Sequence, residues 1–135
     1  MKKTFILLFI TVFAVISFIS CSSVLQNRIA FHNDASNSIS VNFRGEKYDI
    51  APGQKVNLVI HHEGTFSYST AYELPAGTTS STAEGDVSGD ILVKAGSKVL
   101  VYYVSSFIEG VYTISAIKTT SDDLTVEEDP NPIGP

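Results

Sequence analysis

Between positions 38 and 44, Ile39, Val41 and Phe43 alternate with Ser38, Ser40, Asn42 and Arg44. A period of two puts apolar side chains on one face and polar ones on the other, which is the mark of a half-buried strand. The same period returns along the chain. Val56, Leu58 and Ile60 alternate with Asn57, Val59 and His61, Phe66 shares a face with Tyr68, and Tyr112, Ile114 and Ala116 alternate through the last long strand. Arg28–Phe31, Lys47–Ile50 and Ile91–Val93 read as further extended runs. Lys98–Val104 (KVLVYYV) is apolar on both faces, as a central strand would be. Turn signals separate these runs: Arg44-Gly45-Glu46, Pro52-Gly53, Glu63-Gly64 and Glu109-Gly110. No stretch after the first twenty residues argues for a helix.

Leu74–Gly89 breaks the pattern, being rich in Gly, Ser and Thr. It reads as a long loop with a short edge strand near Ser80–Ala83. Repeated strands and turns of this kind imply an all-β domain over residues 28–120, an antiparallel β-sandwich of about 7–8 strands. An immunoglobulin- or transthyretin-like sandwich is the expected form, with a small β-barrel as the alternative. One internal echo stands out. Ile50-Ala51-Pro52-Gly53-Gln54-Lys55-Val56 is matched by Val93-Lys94-Ala95-Gly96-Ser97-Lys98-Val99. The rest of the two halves does not align, so the echo reads as one turn solution used twice, with Gly supplying a positive φ.

The N-terminus is of another kind. Met1-Lys2-Lys3-Thr4 is short and basic, and Phe5–Ile19 is interrupted only by Thr11 and Ser17. That order is a secretion signal over residues 1–20. The apolar run has 15 residues, short of the roughly 20 that span a bilayer as a helix. It is followed by Cys21, the only cysteine in the chain. A lone cysteine in an exported protein pairs with another chain, stays free or is modified. Phe18-Ile19-Ser20-Cys21 resembles the lipobox of bacterial lipoproteins, with a small residue before the Cys, although Phe18 and Ile19 are bulkier than the common pattern. The resemblance covers residues 1–21. It implies that Cys21 is diacylated on sulfur, becomes the first mature residue and attaches the protein to a bacterial membrane, the outer one if the cell has two. Residues 21–27 would then be the lipidated Cys and a short tether.

With Lys2 and Lys3 removed, seven Lys and Arg face 14 Asp and Glu, a side-chain balance of −7. That sign does not suit nucleic acid, whose binding rests on basic patches, and it weighs against adhesion to anionic lipid. Asp122, Asp123, Glu127, Glu128 and Asp129 crowd residues 121–135, which end in PNPIGP. This acidic, Pro-rich tail is expected to be disordered.

Candidate sites are few. Glu84, Asp86, Ser88 and Asp90 place oxygen donors at every second position of Glu84-Gly85-Asp86-Val87-Ser88-Gly89-Asp90, with Gly sixth. Half of a calcium loop looks like this. Against it, Ala95 stands where the closing Glu would be; a polar hairpin loop is the competing reading. His61, His62 and Glu63, with His32 and Asp34, could supply metal ligands, yet adjacent strand residues point to opposite faces. Tyr68, Tyr72, Tyr102, Tyr103 and Tyr112 could stack on a sugar or peptide, or fill the core. The chain has no Walker loop, no H-E-x-x-H, no C-x-x-C and no G-x-S-x-G between strand and helix. The expectation is a non-catalytic binding or structural module of the cell envelope, without a cofactor. Its partner would be an envelope protein or glycan, met at the sheet edges or the Leu74–Gly89 loop. The alternative is a small-ligand carrier or sensor with a barrel cavity.

Overall fold

A computed structural model describes residues 26–121. The signal segment 1–20, Cys21 and all but the first residue of the acidic tail lie outside the described residues. Nine strands make up the rest: β1 (Asn27–Asn33), β2 (Ile39–Phe43), β3 (Glu46–Ile50), β4 (Lys55–Ile60), β5 (Gly64–Tyr72), β6 (Ser80–Gly85), β7 (Gly89–Val93), β8 (Lys98–Ile108) and β9 (Val111–Ser121). They form a five-stranded sheet in the order β4-β1-β8-β9-β6 and a four-stranded sheet in the order β3-β2-β5-β7. The two sheets face each other as a β-sandwich and do not close into a barrel.

The core is the sum of the inward-facing rows. Ile29 and Phe31 of β1, Val99, Val101 and Tyr103 of β8, and Tyr112 and Ile114 of β9 come from the larger sheet. Ile39, Val41 and Phe43 of β2, Tyr68 of β5, and Ile91 and Val93 of β7 meet them from the other. Phe31 sits at the centre, its ring 5.9 Å from Phe43 and 5.7 Å from Tyr68 in tilted geometry. Tyr112 is fully buried against Tyr72, and its hydroxyl has no hydrogen-bond partner among the described residues.

Three features depart from the sequence pattern. Two of the pairings are parallel, β1 with β8 and β6 with β9. Alternation reports which residues face inward, not which way a neighbour runs, and β1 and β8 meet only after the chain has visited the opposite sheet. A ninth strand appears because β1 and β6 are both full members of the larger sheet. β8 is central, as its two apolar faces suggest, but Leu100, Tyr102 and Val104 on its outer face are only half-buried. They lie under no third layer.

The internal echo marks two of the three crossings from the smaller sheet to the larger, the third being residues 73–79 between β5 and β6. Residues 51–54 link β3 to β4, and 94–97 link β7 to β8. In each, the fourth residue's N–H donates to the first residue's carbonyl, Gln54 to Ala51 and Ser97 to Lys94, both at 3.0 Å. The third residue has positive φ, 78° at Gly53 and 74° at Gly96. This is the type II turn, whose third position favours Gly.

Each turn is fastened to one end of β1 by a buried asparagine. The Asn27 side-chain oxygen accepts from Gly96 N at 2.7 Å, and Arg28 N donates to Ser97 O at 2.9 Å. At the other end Asn33 N donates to Gln54 O, and Gly53 N donates to Asn33 O. The Asn33 amide nitrogen donates to Ile50 O at 2.8 Å and to Asn37 O at 3.0 Å, while its side-chain oxygen accepts from Ala35 N. Asn33 thus ties β1 to the β1–β2 loop, to the end of β3 and to the crossing turn.

Removing a buried partner strands the groups it satisfied, at about 1–3 kcal/mol each. Asn33→Ala should therefore cost about 3 kcal/mol or more, and Asn27→Ala, with a single side-chain bond, about 1–2 kcal/mol. Urea unfolding monitored by tyrosine fluorescence measures both. Equal losses for the two variants would contradict the assignment of Asn33 as the main clasp.

Candidate interaction surface at the ends of the sandwich

The strand directions sort the loops into two ends. The N-terminal end holds the start of β1 at Asn27, the Arg44-Gly45 turn, His61-His62-Glu63, the Lys94–Ser97 turn and Ser121, which pairs with Lys98. The opposite end holds residues 34–38, 51–54 and 73–79 and the Glu109-Gly110 turn. Both the first described residues and the last therefore lie at one end.

The ends differ in charge. Arg28, Arg44, Lys94 and Lys98 gather at the N-terminal end, with Glu46 and Glu63. Asp34, Glu73 and Glu109 stand at the far end, where Lys55 is the cation. The two tight hairpin turns repeat this polarity. Arg44-Gly45 joins β2 to β3 with φ of 55° and 80°, and Glu109-Gly110 joins β8 to β9 with φ of 51° and 79°. Two successive positive φ values define the type I′ turn, whose first position favours Asn, Asp or Gly. Arg44 and Glu109 hold charged, long side chains there at a conformational cost of about 1–2 kcal/mol. The Arg44 guanidinium recovers part of it over the Phe66 ring, 5.1 Å from the centroid.

The far end also projects. The last β1–β8 pair is Asn33 with Tyr103, and β8 runs on for five residues to Ile108. At about 3.3 Å per residue this arm reaches roughly 17 Å beyond β1. Its base is held by the Ser105 hydroxyl, which accepts from Ser36 N at 2.9 Å. Its flank is held by the 73–79 loop, where Thr79 N donates to Gly110 O at 2.7 Å. A Cβ on Gly110 would stand 2.8 Å from the Thr79 hydroxyl, so only Gly admits this contact. β6 also pairs with the arm from Val111 to Ala116, and Tyr112 packs inward against Tyr72, yet several large apolar side chains at this end remain in solvent. Phe107, Ile108 and Val111 are exposed, Ile108 by 67%, and Leu74 on the neighbouring loop by 50%.

The residues singled out in the sequence are dispersed. Adjacent Tyr102 and Tyr103 do face opposite sides. Tyr68, Tyr103 and Tyr112 fill the core and form no exposed stacking platform. Tyr102 lies on the outer face, its ring 5.1 Å from His32 and its hydroxyl donating to Asp34 at 2.6 Å. That bond holds the phenol proton and raises its pKa. His32 pairs with Lys55, whereas His61 follows Ile60, the partner of Asn27 at the other end of β1, so the histidines are separated by the length of the strand.

The Glu84–Asp90 oxygens turn to separate partners. Glu84 accepts from the Ser115 hydroxyl at 3.5 Å, and the Asp86 carboxylate from Lys118 N at 3.0 Å. The Asp90 carboxylate accepts from the Ser67 hydroxyl at 2.6 Å, and Lys118 Nζ donates to Asp90 O at 2.7 Å. Val87 between them is buried as a plug. Among the described residues, no group of three or more His, Cys, Asp and Glu converges as a metal site would require. The loop is the β6–β7 connection, built around Val87 and Lys118.

The space between the sheets is filled by aromatic and branched side chains. A cleft of about 340 Å³ opens instead on the flank, between the edge strands β3 and β4, lined by Phe43, Arg44, Glu46, Tyr48, Leu58 and Ile60 among others. No protein-family model matches the chain, and no curated protein matches its sequence.

Phe107, Ile108 and Val111 were the residues that strand reading passed over. Their signal was present: Phe-Ile-Glu-Gly-Val sets three large apolar residues around a two-residue turn, where a hairpin tip is ordinarily polar.

Two measurements follow. Titrating Ca²⁺ into the protein should leave Tm unchanged, and a rise of several degrees would restore the calcium loop. Burial pushes the Tyr103 phenol up to about 12, against a smaller downward pull from Thr70, and burial raises Tyr68 further. A group whose folded pKa is raised gives stability that is full below its unfolded pKa of about 10 and fades as pH climbs through the folded value. Stability should therefore fall between about pH 10 and pH 12, and Tyr103→Phe should flatten that fall. An unchanged slope in the variant would show that other groups carry it.

Proposed function

We propose that the chain is an exported lipoprotein, held to a bacterial membrane by acyl chains on Cys21, whose sandwich is a non-catalytic binding or structural module of the cell envelope. The observation that carries this reading is the sole cysteine at the end of the apolar run, six residues before β1 begins at Asn27. Six extended residues reach about 20 Å, so the N-terminal end of the sandwich is the membrane-facing end and the arm points away. Each buried CH₂ of an acyl chain contributes about 0.8 kcal/mol, and two chains make stable anchorage.

The binding role draws on the division of labour in the fold. The core is solid and the outer face of the smaller sheet is polar, with Ser40 bonded to Asp49 and Ser67 to Asp90. A rigid sandwich that displays loops at one end commonly uses them for recognition. Among the described residues the interior is filled, which favours this reading over a small-ligand carrier; a carrier would have to use surface clefts such as the one on the flank or the one beside Asn42 and Thr65.

Cys21→Ser should move the protein from the membrane fraction to the soluble exported fraction and leave its circular dichroism unchanged. Mass spectrometry of the wild-type N-terminus should find an acylated Cys21. An unmodified mature N-terminus beyond residue 21 would sink the reading.

A further inference from the structure

We infer that the outer face of the larger sheet is covered by the chain's own C-terminal stretch, residues 122–129, which folds back over it from Ser121. The inference is independent of the lipoprotein reading and gives that face an occupant. The strand register fixes what the face presents. Its residues alternate with the buried Ile29, Val99 and Val101, and paired positions on neighbouring strands share a side. The row nearest the N-terminal end is Arg28, Lys98 and Ser121. The second is Ala30, Leu100 and Thr119, and the third is His32, Tyr102 and Ile117. Val104 follows Tyr102 on the same side of β8. Ala30, Leu100, Tyr102, Ile117 and Val104 therefore adjoin one another; four are half-buried and Ile117 is 60% exposed. Contiguous apolar surface rimmed by polar residues marks a place where another segment packs.

Two properties of residues 122–129 select them as that segment. The first is where they start. Ser121 stands in the row of Arg28 and Lys98. Among the described residues neither cation meets a carboxylate, and the ion pair found there joins Lys47 to Asp49. Asp122 and Asp123 follow Ser121 directly, so the chain itself holds opposite charges at a high effective concentration. The outer face of the smaller sheet instead presents the carboxylates Asp49 and Asp90 among its serines. The second property is the order of the stretch, DDLTVEED. Leu124 and Val126 are two apart, a spacing that brings both to one side of an extended chain. Eight such residues span up to about 26 Å, and the third row lies only about 13 Å from Ser121 along the strand. The stretch can thus reverse direction and still set Leu124 and Val126 on the apolar rows. Beyond them Glu127 and Glu128 reach toward His32 and Lys55, which pair in the third row. The three prolines that bar strand pairing lie at 130–135, past this stretch.

Thiol labelling tests the inference on the full chain carrying Cys21→Ser, so that one introduced cysteine is the only thiol. Thr119→Cys reports from the second row without removing an apolar contact. Ser69→Cys, exposed on the outer face of the smaller sheet, is the control. A maleimide should modify Thr119→Cys about fivefold faster once Leu124→Ser and Val126→Ser are added, because a tethered segment leaves when its contacts go. Lys98→Glu should also speed the reaction. A negative charge beside a thiol by itself hinders thiolate formation and slows labelling, so a faster rate reads release of the segment. Ser69→Cys should react at one rate in every background. A Thr119→Cys rate unchanged by the Leu124 and Val126 substitutions, or not raised by Lys98→Glu, would overturn the inference. An equal acceleration at Ser69→Cys would do the same. Protection that disappears on dilution would put a second copy on the face and overturn it as well. None of these rates depends on whether Cys21 is acylated in the native protein, so the two readings fail separately.

Discussion

Asn33 is the residue on which the two sheets depend for their alignment. It ends β1, and its backbone and side chain together make five hydrogen bonds to three segments: the β1–β2 loop, the last residue of β3, and two residues of the crossing turn before β4. β1 and β4 belong to one sheet and β3 to the other, so a single amide sets their relative height. That height in turn decides which rows of side chains meet across the core. Phe31 can stand between Phe43 and Tyr68 because the strand ends are pinned. The cost of burying an amide is offset here by full use of its donors and acceptor. Asn27 repeats the arrangement at the other end with fewer bonds, so β1 is held at both tips and paired along its length with β4 and β8.

How much of this could be read from the sequence follows the physics of each feature. The strands were legible because burial of one face imposes period two, as in Ile39-Val41-Phe43, and the glycine turns were legible because positive φ restricts residue choice. The Ser80–Gly85 edge strand showed only faintly, since every residue in it is exposed and no apolar row marks it. The parallel partners were invisible, because direction is set by how the chain crosses between sheets. Asn33 looked like any polar residue near a turn. Its value comes from Ile50 and Gln54, distant in sequence, whose unpaired groups it satisfies.

Site residues were harder still. The Glu84–Asp90 spacing suggested calcium because alternate positions bring side chains to one side of a strand or a tight loop. The Asp86 carboxylate accepts from the backbone N–H of Lys118 on β9, the Asp90 carboxylate from Ser67 on β5, and Lys118 Nζ donates to the Asp90 backbone carbonyl, and no local spacing announces partners arriving from other strands. Tyr102 and Tyr103 divided between surface and core as strand geometry requires. The arm at Phe107–Val111 is conspicuous only once β8 is seen to outrun β1.

The placement of β1 has a mechanical consequence. The strand nearest the N-terminus is an interior strand, with β4 on one side and β8 on the other. A pull applied at Asn27 along the strand does not peel an edge away one hydrogen bond at a time. It loads both rows of interstrand bonds in shear together, and the asparagine clasps at the two tips share the load. A domain pulled by that end would resist with two seams at once.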